Sequence, residues 1–585
     1  MMMKFLSGDE AVAQGAYEAG LQFAASYPGT PATEVLEYLA KFADVDAQWS
    51  VNEKVAFEVA LASAIAGKRS LYSSKHVGLN VAMDPLMTSA YTGVNAGFIV
   101  VVADDPGIHS SQNEQDTRIF SRAAKIPMLE PANPLECYQY APIAFKISED
   151  FDTPVMIRLT TRVAHTKENI STAGTRNIAQ RDFKIDAAKY VMVPGNAYRK
   201  HLALEAKLLR LKEYSNRTLL NSIELNRRSI GFIASGVSYL YVKEMYPEAS
   251  VLKLGMPFPF PDKKAKEFAS GVKRLFVVEE LEPFIEEELV RLGIRKAKAK
   301  DPSFRIGELR PEFMPRIVAG KKKIEAEPTS RKPVLCPGCP HRAVFIALKS
   351  LKATVAGDIG CYTLGALPPL GALHSCLCMG TGVTFFDGFS RALGNNVVGV
   401  IGDSTFVHSG ITGLVNAAYN RTKGVIIILD NSTTAMTGSQ PHPATGMTAK
   451  GTQTKKLILE DLCKACGADH VDVIDPFRIS ELKALIKQRL NEASLSIIIA
   501  RSPCRLIERS RSEAPHFDAS KCKKCYQCLA VNCPAIFKTQ DGLIGINAQT
   551  CTGCDVCVSA CSFGALIKPK SRSPDQKPEN RPQDL

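Results

Sequence analysis

The sequence predicts a multidomain α/β protein with parallel sheets and a small cysteine-rich α+β module near its C-terminal end. Short apolar runs alternate with longer amphipathic stretches up to about position 505, which is typical of strand–helix–strand units. The 585 residues are enough for about four domains. Eight of the 17 cysteines fall between positions 522 and 561, which indicates metal or redox chemistry in that segment.

The alternation divides the chain into five segments. The first has a helical stretch at 11–21 and a buried strand at 98–102, and the second has strands at 230–234 and 274–278. The predicted segments are 1–185, 190–325 and 334–505 for three α/β domains, 516–568 for the cysteine-rich module and 569–585 for a tail. The tail is rich in Pro, Lys, Asp and Gln, so we expect it to be disordered.

Composition excludes several classes of protein. Hydrophobic residues make up 45% and charged residues 22% of the chain, an ordinary globular mixture. The apolar runs are too short to span a bilayer, and the start has no apolar region of a secretory signal, so we expect a cytoplasmic protein without a membrane partner. The net charge is +13, but no helix-turn-helix or zinc-finger pattern accompanies it, and we expect no nucleic-acid partner.

Two cysteine runs define the C-terminal module. Each has three cysteines at spacings of three and then a fourth, as in sequences that bind [4Fe–4S] clusters. The runs are Cys522-x2-Cys525-x2-Cys528-x4-Cys533 and Cys551-x2-Cys554-x2-Cys557-x3-Cys561. In two-cluster ferredoxins the last cysteine of each run ligates the other cluster. The predicted ligand sets are Cys522, Cys525, Cys528 and Cys561 for one cluster, and Cys533, Cys551, Cys554 and Cys557 for the second.

The module resembles bacterial two-cluster ferredoxins, with one extra residue before the last cysteine of its first run. A pair of zinc sites is the alternative interpretation. A module of this size is too small for substrate chemistry, so we expect it to carry electrons.

The third α/β segment contains a candidate magnesium–diphosphate site. A strand ends at Gly402, Asp403 and Ser404, and the next ends before Asn431 and Thr433. One strand–helix–strand crossover separates the two, which places Asp403 and Asn431 at the carboxyl ends of neighbouring parallel strands. A carboxylate and an amide oxygen are suitable Mg²⁺ ligands. The pattern resembles the thiamine diphosphate motif of thiamine-dependent enzymes.

A thiamine site also needs a glutamate against N1′ of the aminopyrimidine. Glu53 at the start of an alanine-rich helical stretch is the predicted residue, with Glu58 as the alternative. An acidic residue in a first helical turn is also common for purely structural reasons.

Further motifs extend the resemblance over nearly the whole chain. They are Tyr27-Pro-Gly-Thr-Pro, Cys336-Pro-Gly-Cys-Pro-His-Arg, Gly357-Asp-Ile-Gly-Cys-Tyr, Gly402-Asp-Ser-Thr and Asn431-Ser-Thr-Thr-Ala-Met-Thr-Gly. With the ferredoxin-like module, they resemble the α subunits of indolepyruvate:ferredoxin oxidoreductases, within the 2-oxoacid:ferredoxin oxidoreductase superfamily. The resemblance implies two thiamine-binding domains flanking a middle domain similar to the C-terminal domain of transketolases.

The resemblance also implies an activity. An arylpyruvate such as indolepyruvate, CoA and oxidised ferredoxin would give aryl-acetyl-CoA, CO2 and reduced ferredoxin. Thr30 would hydrogen-bond the substrate carboxylate, and Arg118, or alternatively Arg122, would hold it. The expected partners are a smaller β subunit and an external ferredoxin, in a dimer of αβ heterodimers. The expected cofactors are thiamine diphosphate, Mg²⁺ and two [4Fe–4S] clusters.

A third cluster is a further hypothesis. Its ligands would be Cys336, Cys339, Cys361 and Cys504, which resemble the proximal-cluster ligands of related pyruvate enzymes. For Cys336 and Cys339, a tight Pro-Gly turn is the alternative interpretation.

Two other functions stay open. The chain could be an electron-transfer subunit without its own substrate, or it could act on branched-chain or other 2-oxo acids. A non-oxidative thiamine enzyme is disfavoured because it would have no electrons to deliver to a ferredoxin-like module.

Overall fold

The computed structural model describes residues 2–174, 181–324, 333–394, 396–508 and 511–569. The predicted tail at 569–585 lies outside the described residues from position 570 onward. The chain forms two compact units, Met1–Pro328 with Met447–Thr454, and Thr329–Gly446 with Lys455–Leu585. The prediction of an α/β protein with parallel sheets is confirmed, and the division into five segments stays a prediction.

The first unit contains a six-stranded parallel sheet. In spatial order its strands are Asp46–Trp49, Phe23–Ser26, Ser70–Lys75, Phe98–Asp104, Val155–Thr160 and Met128–Leu129. The helices of this region are Gly8–Glu18, Thr33–Leu39, Glu53–Ile65, His76–Val81, Met83–Thr92, Thr117–Ala124, Pro134–Phe151 and Thr161–His165. Every residue of the strand Phe98–Asp104 is buried, because helices cover the sheet and apolar side chains are needed on both of its faces.

The same unit contains a second, five-stranded sheet. Its spatial order is Ala297–Lys298, Arg274–Val278, Arg227–Ser235, Ala249–Leu254 and Asn221–Glu224. Its helices are Ala187–Tyr190, Pro194–Arg217, Gly236–Met245, Asp262–Gly271, Phe284–Arg291 and Met314–Val318. The last edge strand runs antiparallel to its neighbour. A separate antiparallel ribbon joins Met2–Ser7 to Lys167–Thr172. The alternation of apolar runs did not predict either antiparallel pair.

The second unit is built on a five-stranded parallel sheet. Its spatial order is Thr354–Ala356, Val397–Gly402, Gly424–Asp430, Leu495–Arg501 and His470–Ile474. The helices are His341–Ser350, Thr381–Leu393, Asp403–Thr405, Ile411–Tyr419, Leu459–Ala465 and Ile479–Leu490. Asp403 and Asn431 directly follow the neighbouring strands Val397–Gly402 and Gly424–Asp430, as expected for one strand–helix–strand crossover.

The C-terminal segment of this unit has little regular structure. Two antiparallel strand pairs, His516–Phe517 with Leu566–Ile567 and Ile536–Lys538 with Ile544–Ile546, and the short helix Val556–Ser559 frame its cysteine loops. In the part of the chain that the structure describes, no helix has the length and apolar character needed to cross a membrane.

Candidate functional site

Two neighbouring strand ends bring Asp403 next to the segment that begins at Asn431. The Asp403 carboxylate accepts a hydrogen bond from the backbone N–H of Ser404 through Oδ1 and another from the backbone N–H of Ser432 through Oδ2, both at 2.8 Å. Asn431 Oδ1 accepts from the backbone N–H of Thr433 at 3.3 Å. The turn after the second strand is thus fixed to the carboxylate after the first.

Both candidate metal ligands are buried. Asp403 is 2% exposed and Asn431 is 7% exposed. Burial raises the pKa of Asp403, and His442, whose Nε2 lies 3.3 Å from Oδ2, opposes that rise. A buried carboxylate is costly without a positive partner. A divalent cation with oxygen ligands would supply that partner, so the donor set fits Mg²⁺.

Two small residues beside Asp403 shape the same corner. A side chain at Gly402 would place its Cβ 2.7 Å from Cε1 of Tyr362, so glycine is required there for close packing. The hydroxyl oxygens of Ser404 and Thr434 lie 2.9 Å apart, which joins the two turns by a second contact.

Asp358 is a buried acid to which the sequence analysis gave no role. Its carboxylate accepts hydrogen bonds from the backbone N–H groups of Ile359, Gly380 and Gly382 at 2.7 to 3.0 Å. Burial raises its pKa to about 7 despite these three donors. The carboxylate therefore occupies the N-terminus of the helix Thr381–Leu393, where an anion is favoured. The Gly357-Asp-Ile-Gly motif marked Asp358 in the sequence, but it did not indicate which groups the carboxylate would bind.

In the first unit, Glu53 begins the helix Glu53–Ile65. Asn52 is the N-cap, because its side chain accepts the backbone N–H of Val55 at 2.9 Å. Glu53 is 5% exposed. A Cβ at Gly78 would lie 2.5 Å from Oε1 of Glu53, so only glycine admits the carboxylate at this position. Glu58 is instead a half-exposed surface residue that pairs with Lys54.

Thr30 lies in a small hydrogen-bonded group that includes a lysine. Ser110 Oγ donates to the carbonyl oxygen of Thr30 at 2.9 Å, and Lys75 Nζ donates to the carbonyl oxygen of Ser110 at 2.8 Å. A Cβ at Gly29 would lie 3.2 Å from Cδ of Lys75, so the turn before Thr30 packs directly on the lysine side chain. Burial lowers the pKa of Lys75 to about 8, against the opposing charges of Asp105 and Glu53.

Sequence reasoning missed Lys75. The available signal was its position at the carboxyl end of the central strand Ser70–Lys75, where parallel sheets place ligand-binding groups.

Arg118 does not have the environment of a substrate-binding arginine. Its side chain is fully buried, and its guanidinium donates to Asp116 at 2.9 Å, to Glu279 at 2.6 Å and to the carbonyl oxygen of Glu280 at 2.7 Å. This environment does not support the prediction that Arg118 holds a substrate carboxylate, which stays a prediction. Its partner Glu279 lies 161 positions away in the chain, and nothing local in the sequence could indicate that pairing.

The eight cysteines of the C-terminal segment line two separate apolar cavities. Phe517, Tyr526 and Phe563 contribute to the walls of the first and Val531, Ile536 and Val556 to those of the second. The cysteines are Cys522, Cys525, Cys528 and Cys561 around the first cavity, and Cys533, Cys551, Cys554 and Cys557 around the second. Burial raises the pKa of Cys557 to about 12, so a thiolate there needs a positive partner such as a metal.

A third group of thiols lies near the Asp403–Asn431 corner. The Cys361 thiol interacts electrostatically with Cys336, Cys339 and Cys504, and Cys339 also interacts with Cys336. Burial raises the pKa of Cys339 to about 12 and that of Cys361 to about 11. Cys504 also donates its backbone N–H to the carbonyl oxygen of Asn431 at 3.0 Å. In the described ranges, no three or more His, Cys, Asp or Glu side chains converge tightly enough to hold a single metal ion. A four-iron cluster does not require that convergence, because each thiolate binds a different iron.

Two family models match the chain. Residues 14–224 match the family described as "Pyruvate flavodoxin/ferredoxin oxidoreductase, thiamine diP-bdg". Residues 358–500 match the family described as "Thiamine pyrophosphate enzyme, C-terminal TPP binding domain". The first match contains Thr30, Glu53 and Lys75, and the second contains Asp403 and Asn431.

Curated relatives match over almost the full length. The "Indolepyruvate oxidoreductase subunit IorA" of Archaeoglobus fulgidus is 36% identical, with 97% of this chain and 98% of the relative covered. The protein of the same name from Methanothermobacter marburgensis is 39% identical, with 97% of both covered. The "2-oxoglutarate synthase subunit KorA" of Archaeoglobus fulgidus is 25% identical, over 55% of this chain and all of the relative.

Proposed function

The chain belongs to the family of indolepyruvate oxidoreductase subunits IorA, and from that membership we propose that it oxidatively decarboxylates arylpyruvates, indolepyruvate above all. As the family and the two domain matches show, it is a catalytic subunit of a thiamine-diphosphate-dependent 2-oxoacid:ferredoxin oxidoreductase. In the proposed reaction, one arylpyruvate, one CoA and two oxidised ferredoxins give one aryl-acetyl-CoA, one CO2, two reduced ferredoxins and one proton.

One observation carries the oxidative part of this proposal. The unit that holds Asp403 and Asn431 also holds two apolar cavities, each lined by four cysteines. A thiamine enzyme that releases an aldehyde or joins two carbon units has no electrons to deliver. Paired four-cysteine cavities are suited to [4Fe–4S] clusters, which accept one electron at a time.

Asp403 and Asn431 would hold Mg²⁺ and, through it, the diphosphate of the cofactor. Both oxygens are preset by backbone hydrogen bonds, so little ordering would be needed on binding. Thiamine diphosphate, when bound, supplies the electron sink for loss of CO2 from a 2-oxo acid. Glu53 would exchange a proton with N1′ of the aminopyrimidine, and its burial keeps water from competing for that proton.

Thr30 and Lys75 would bind the substrate carboxylate. The Thr30 hydroxyl supplies a hydrogen-bond donor, and Lys75 supplies a positive charge in the same hydrogen-bonded group. The ammonium group is charged below its pKa of about 8, so it is available at neutral pH. Lys75 would take the role first predicted for Arg118, whose side chain is fully buried and paired with Asp116 and Glu279.

The partners and remaining cofactors belong to the same proposal. A smaller β subunit, in a dimer of αβ heterodimers, and an external ferredoxin would complete the enzyme, in the cytoplasm. The two cavities would each bind a [4Fe–4S] cluster, and the thiols of Cys336, Cys339, Cys361 and Cys504 would hold a third beside the thiamine site. The interactions of Cys361 with Cys336, Cys339 and Cys504 support that set.

The test is anaerobic and uses this chain co-produced with its small partner and shown to contain iron. CoA-dependent reduction of ferredoxin is measured with indolepyruvate, phenylpyruvate, pyruvate and 2-oxoisovalerate. Faster reduction with the aryl substrates is the expected result. Preference for pyruvate or the branched acid would overturn the proposed substrate class but not the proposed oxidative decarboxylation. No reduction with any of the four would favour an electron-transfer subunit.

A further inference from the structure

Arg342 is a buried arginine without an acidic partner. Its side chain is 1% exposed. The guanidinium donates to the carbonyl oxygens of Leu335 at 2.8 Å, Cys336 at 3.0 Å and Asn532 at 3.1 Å. Across the described ranges no carboxylate forms an ion pair with it. Neutral carbonyl groups orient the charge but do not cancel it, so a full positive charge stays in the interior.

This charge lies at the wall of one of the two four-cysteine cavities. Arg342 lines the cavity of Cys533, Cys551, Cys554 and Cys557, and its buried Nε has no hydrogen-bond partner among the described residues. Asn532, which accepts from the guanidinium, directly precedes Cys533 in the chain. The charge of Arg342 acts on the Cys554 thiol, so the guanidinium lies close to the cysteines of this cavity. A buried donor without a partner is rare in proteins, and a redox role is one of its explanations.

Close packing holds the loop of Arg342 against the same cavity. Gly338 is in the left-handed region, with φ of +67°, and a Cβ there would lie 2.0 Å from Oγ1 of Thr552. Thr552 lies between Cys551 and Cys554. The Cys336–Cys339 loop therefore touches the cysteine loop directly, and the position of the guanidinium is fixed from both sides.

No other charged group in the wall of this cavity forms an ion pair with Arg342 among the described residues. Asp555 also lines the cavity; it forms an ion pair with the exposed Lys568 at 2.9 Å, and its Oδ1 is buried without a hydrogen-bond partner. The cavity of Cys522, Cys525, Cys528 and Cys561 has no buried arginine or lysine in its wall; its only lysine, Lys523, is exposed, and water screens an exposed charge. The two cavities are thus electrostatically different.

We propose that Arg342 is a potential-setting residue, whose buried charge raises the reduction potential of the cluster bound by Cys533, Cys551, Cys554 and Cys557. Reduction of a [4Fe–4S] cluster adds one negative charge, which a nearby buried cation stabilises. Cluster potentials depend on local charge in this way. The inference rests on the proposed iron–sulfur function of the module.

The test uses the iron-loaded enzyme with its partner subunit and follows the midpoint potential of each cluster by EPR. Arg342→Met and Arg342→Gln remove the charge, and Arg342→Lys keeps one. The neutral variants are expected to lower the equilibrium constant for reduction of one cluster about tenfold, a shift of about 59 mV for one electron. Lys523→Met, at the wall of the other cavity, is the matched control and is expected to leave the midpoint potential of every cluster in place.

The outcomes are separable. Wild-type enzyme without iron would overturn the proposed module and this role with it. Loaded neutral variants with unmoved midpoints would overturn the role of Arg342 alone, as would a Lys variant that shifts as far as the Met variant at every pH.

If the neutral variants do not load iron, the pH dependence of the midpoint potential in Arg342→Lys tests the proposal instead. A lysine can lose its charge within the accessible pH range, whereas an arginine cannot. The midpoint of one cluster in R342K is expected to fall between pH 6 and pH 10 more steeply than in the wild type. Parallel pH profiles for the two proteins would overturn the proposal.

Discussion

The backbone N–H of Cys504 donates a 3.0 Å hydrogen bond to the carbonyl oxygen of Asn431. The two residues follow adjacent parallel strands, Leu495–Arg501 and Gly424–Asp430, so the sheet itself sets their distance. A thiol of the proposed third cluster is thereby fixed beside a proposed magnesium ligand. Electron acceptor and cofactor site would be joined by one peptide hydrogen bond, without a mobile carrier between them.

Asp403→Asn is expected to abolish Mg²⁺-dependent binding of thiamine diphosphate and to lower ferredoxin reduction at least about 100-fold, because a neutral amide cannot neutralise a buried dication. Calorimetric titration with the cofactor at fixed Mg²⁺ measures the binding, and iron content should stay at the wild-type value. The exposed Asp461→Asn serves as control. Unchanged cofactor affinity in D403N would remove Asp403 from the site.

Glu53→Gln is expected to lower kcat by about 10²–10⁴, the usual range for loss of a general acid or base. Affinity for thiamine diphosphate should change much less, because the amide keeps the size of the side chain. Steady-state kinetics and cofactor titration separate the two effects. Glu58→Gln, on the same helix but half-exposed, should retain normal kcat. Loss of kcat in E58Q but not in E53Q would assign the proton-exchange role to Glu58 instead of Glu53.

Lys75→Met is expected to raise the KM for the 2-oxo acid by about 10- to 100-fold, which corresponds to loss of one charged hydrogen bond. In the wild type, the KM should rise as pH increases through about 8, because Lys75 loses its charge there. Lys75→Arg should move that rise to higher pH. The half-exposed Lys54→Met is the control. A wild-type pH profile in K75M would argue against the assignment.

Arg118→Met is expected to destabilise the first unit by about 3–5 kcal/mol, because Asp116 and Glu279 would be left buried without their partner. A lower melting temperature with an unchanged KM in the remaining active enzyme would show this. The half-exposed Arg122→Met should cost less than about 1 kcal/mol. A large rise in KM at normal stability would restore Arg118 as a substrate ligand.

Cys557→Ser is expected to remove one cluster, about four irons per chain, and leave the remaining clusters. Cys533→Ser should remove the same cluster, because both cysteines line one cavity although they lie in different runs. Iron analysis and EPR identify which signal is lost. Cys463→Ser, a buried cysteine outside the cavities, should keep all the iron; loss of different signals in C533S and C557S would overturn the cross-run assignment.

Periodic apolar runs were sufficient to predict the parallel sheets. The strand predicted at 274–278 is found at Arg274–Val278, and that at 98–102 is part of Phe98–Asp104. Such strands are buried on both faces and leave a continuous apolar run in the sequence. The edge strand Asn221–Glu224 was missed, because only one of its four residues is buried and it leaves no apolar run in the sequence. Its antiparallel direction could not be predicted either, because it precedes a helix and a strand in the chain as a parallel strand would.

The sequence yields site predictions where a local motif sets the chemistry. Asp403 and Asn431 do follow the ends of adjacent strands, and the spaced cysteines do line two cavities, while their roles stay predictions. Lys75 and Arg118 required the tertiary structure, because burial and distant partners determine whether a cation is available to a ligand. Asp116 is two positions from Arg118, but Glu279 is on another sheet region of the same unit.

The contact between Gly338 and Thr552 has a consequence for how this protein could be divided. A cavity walled partly by residues some 200 positions upstream is not complete in the cysteine-rich segment alone. A fragment beginning near residue 511 would contain all eight cysteines but lack one side of one cavity. Complete assembly of that cavity therefore requires the Cys336–Cys339 loop as well as the cysteine-rich segment.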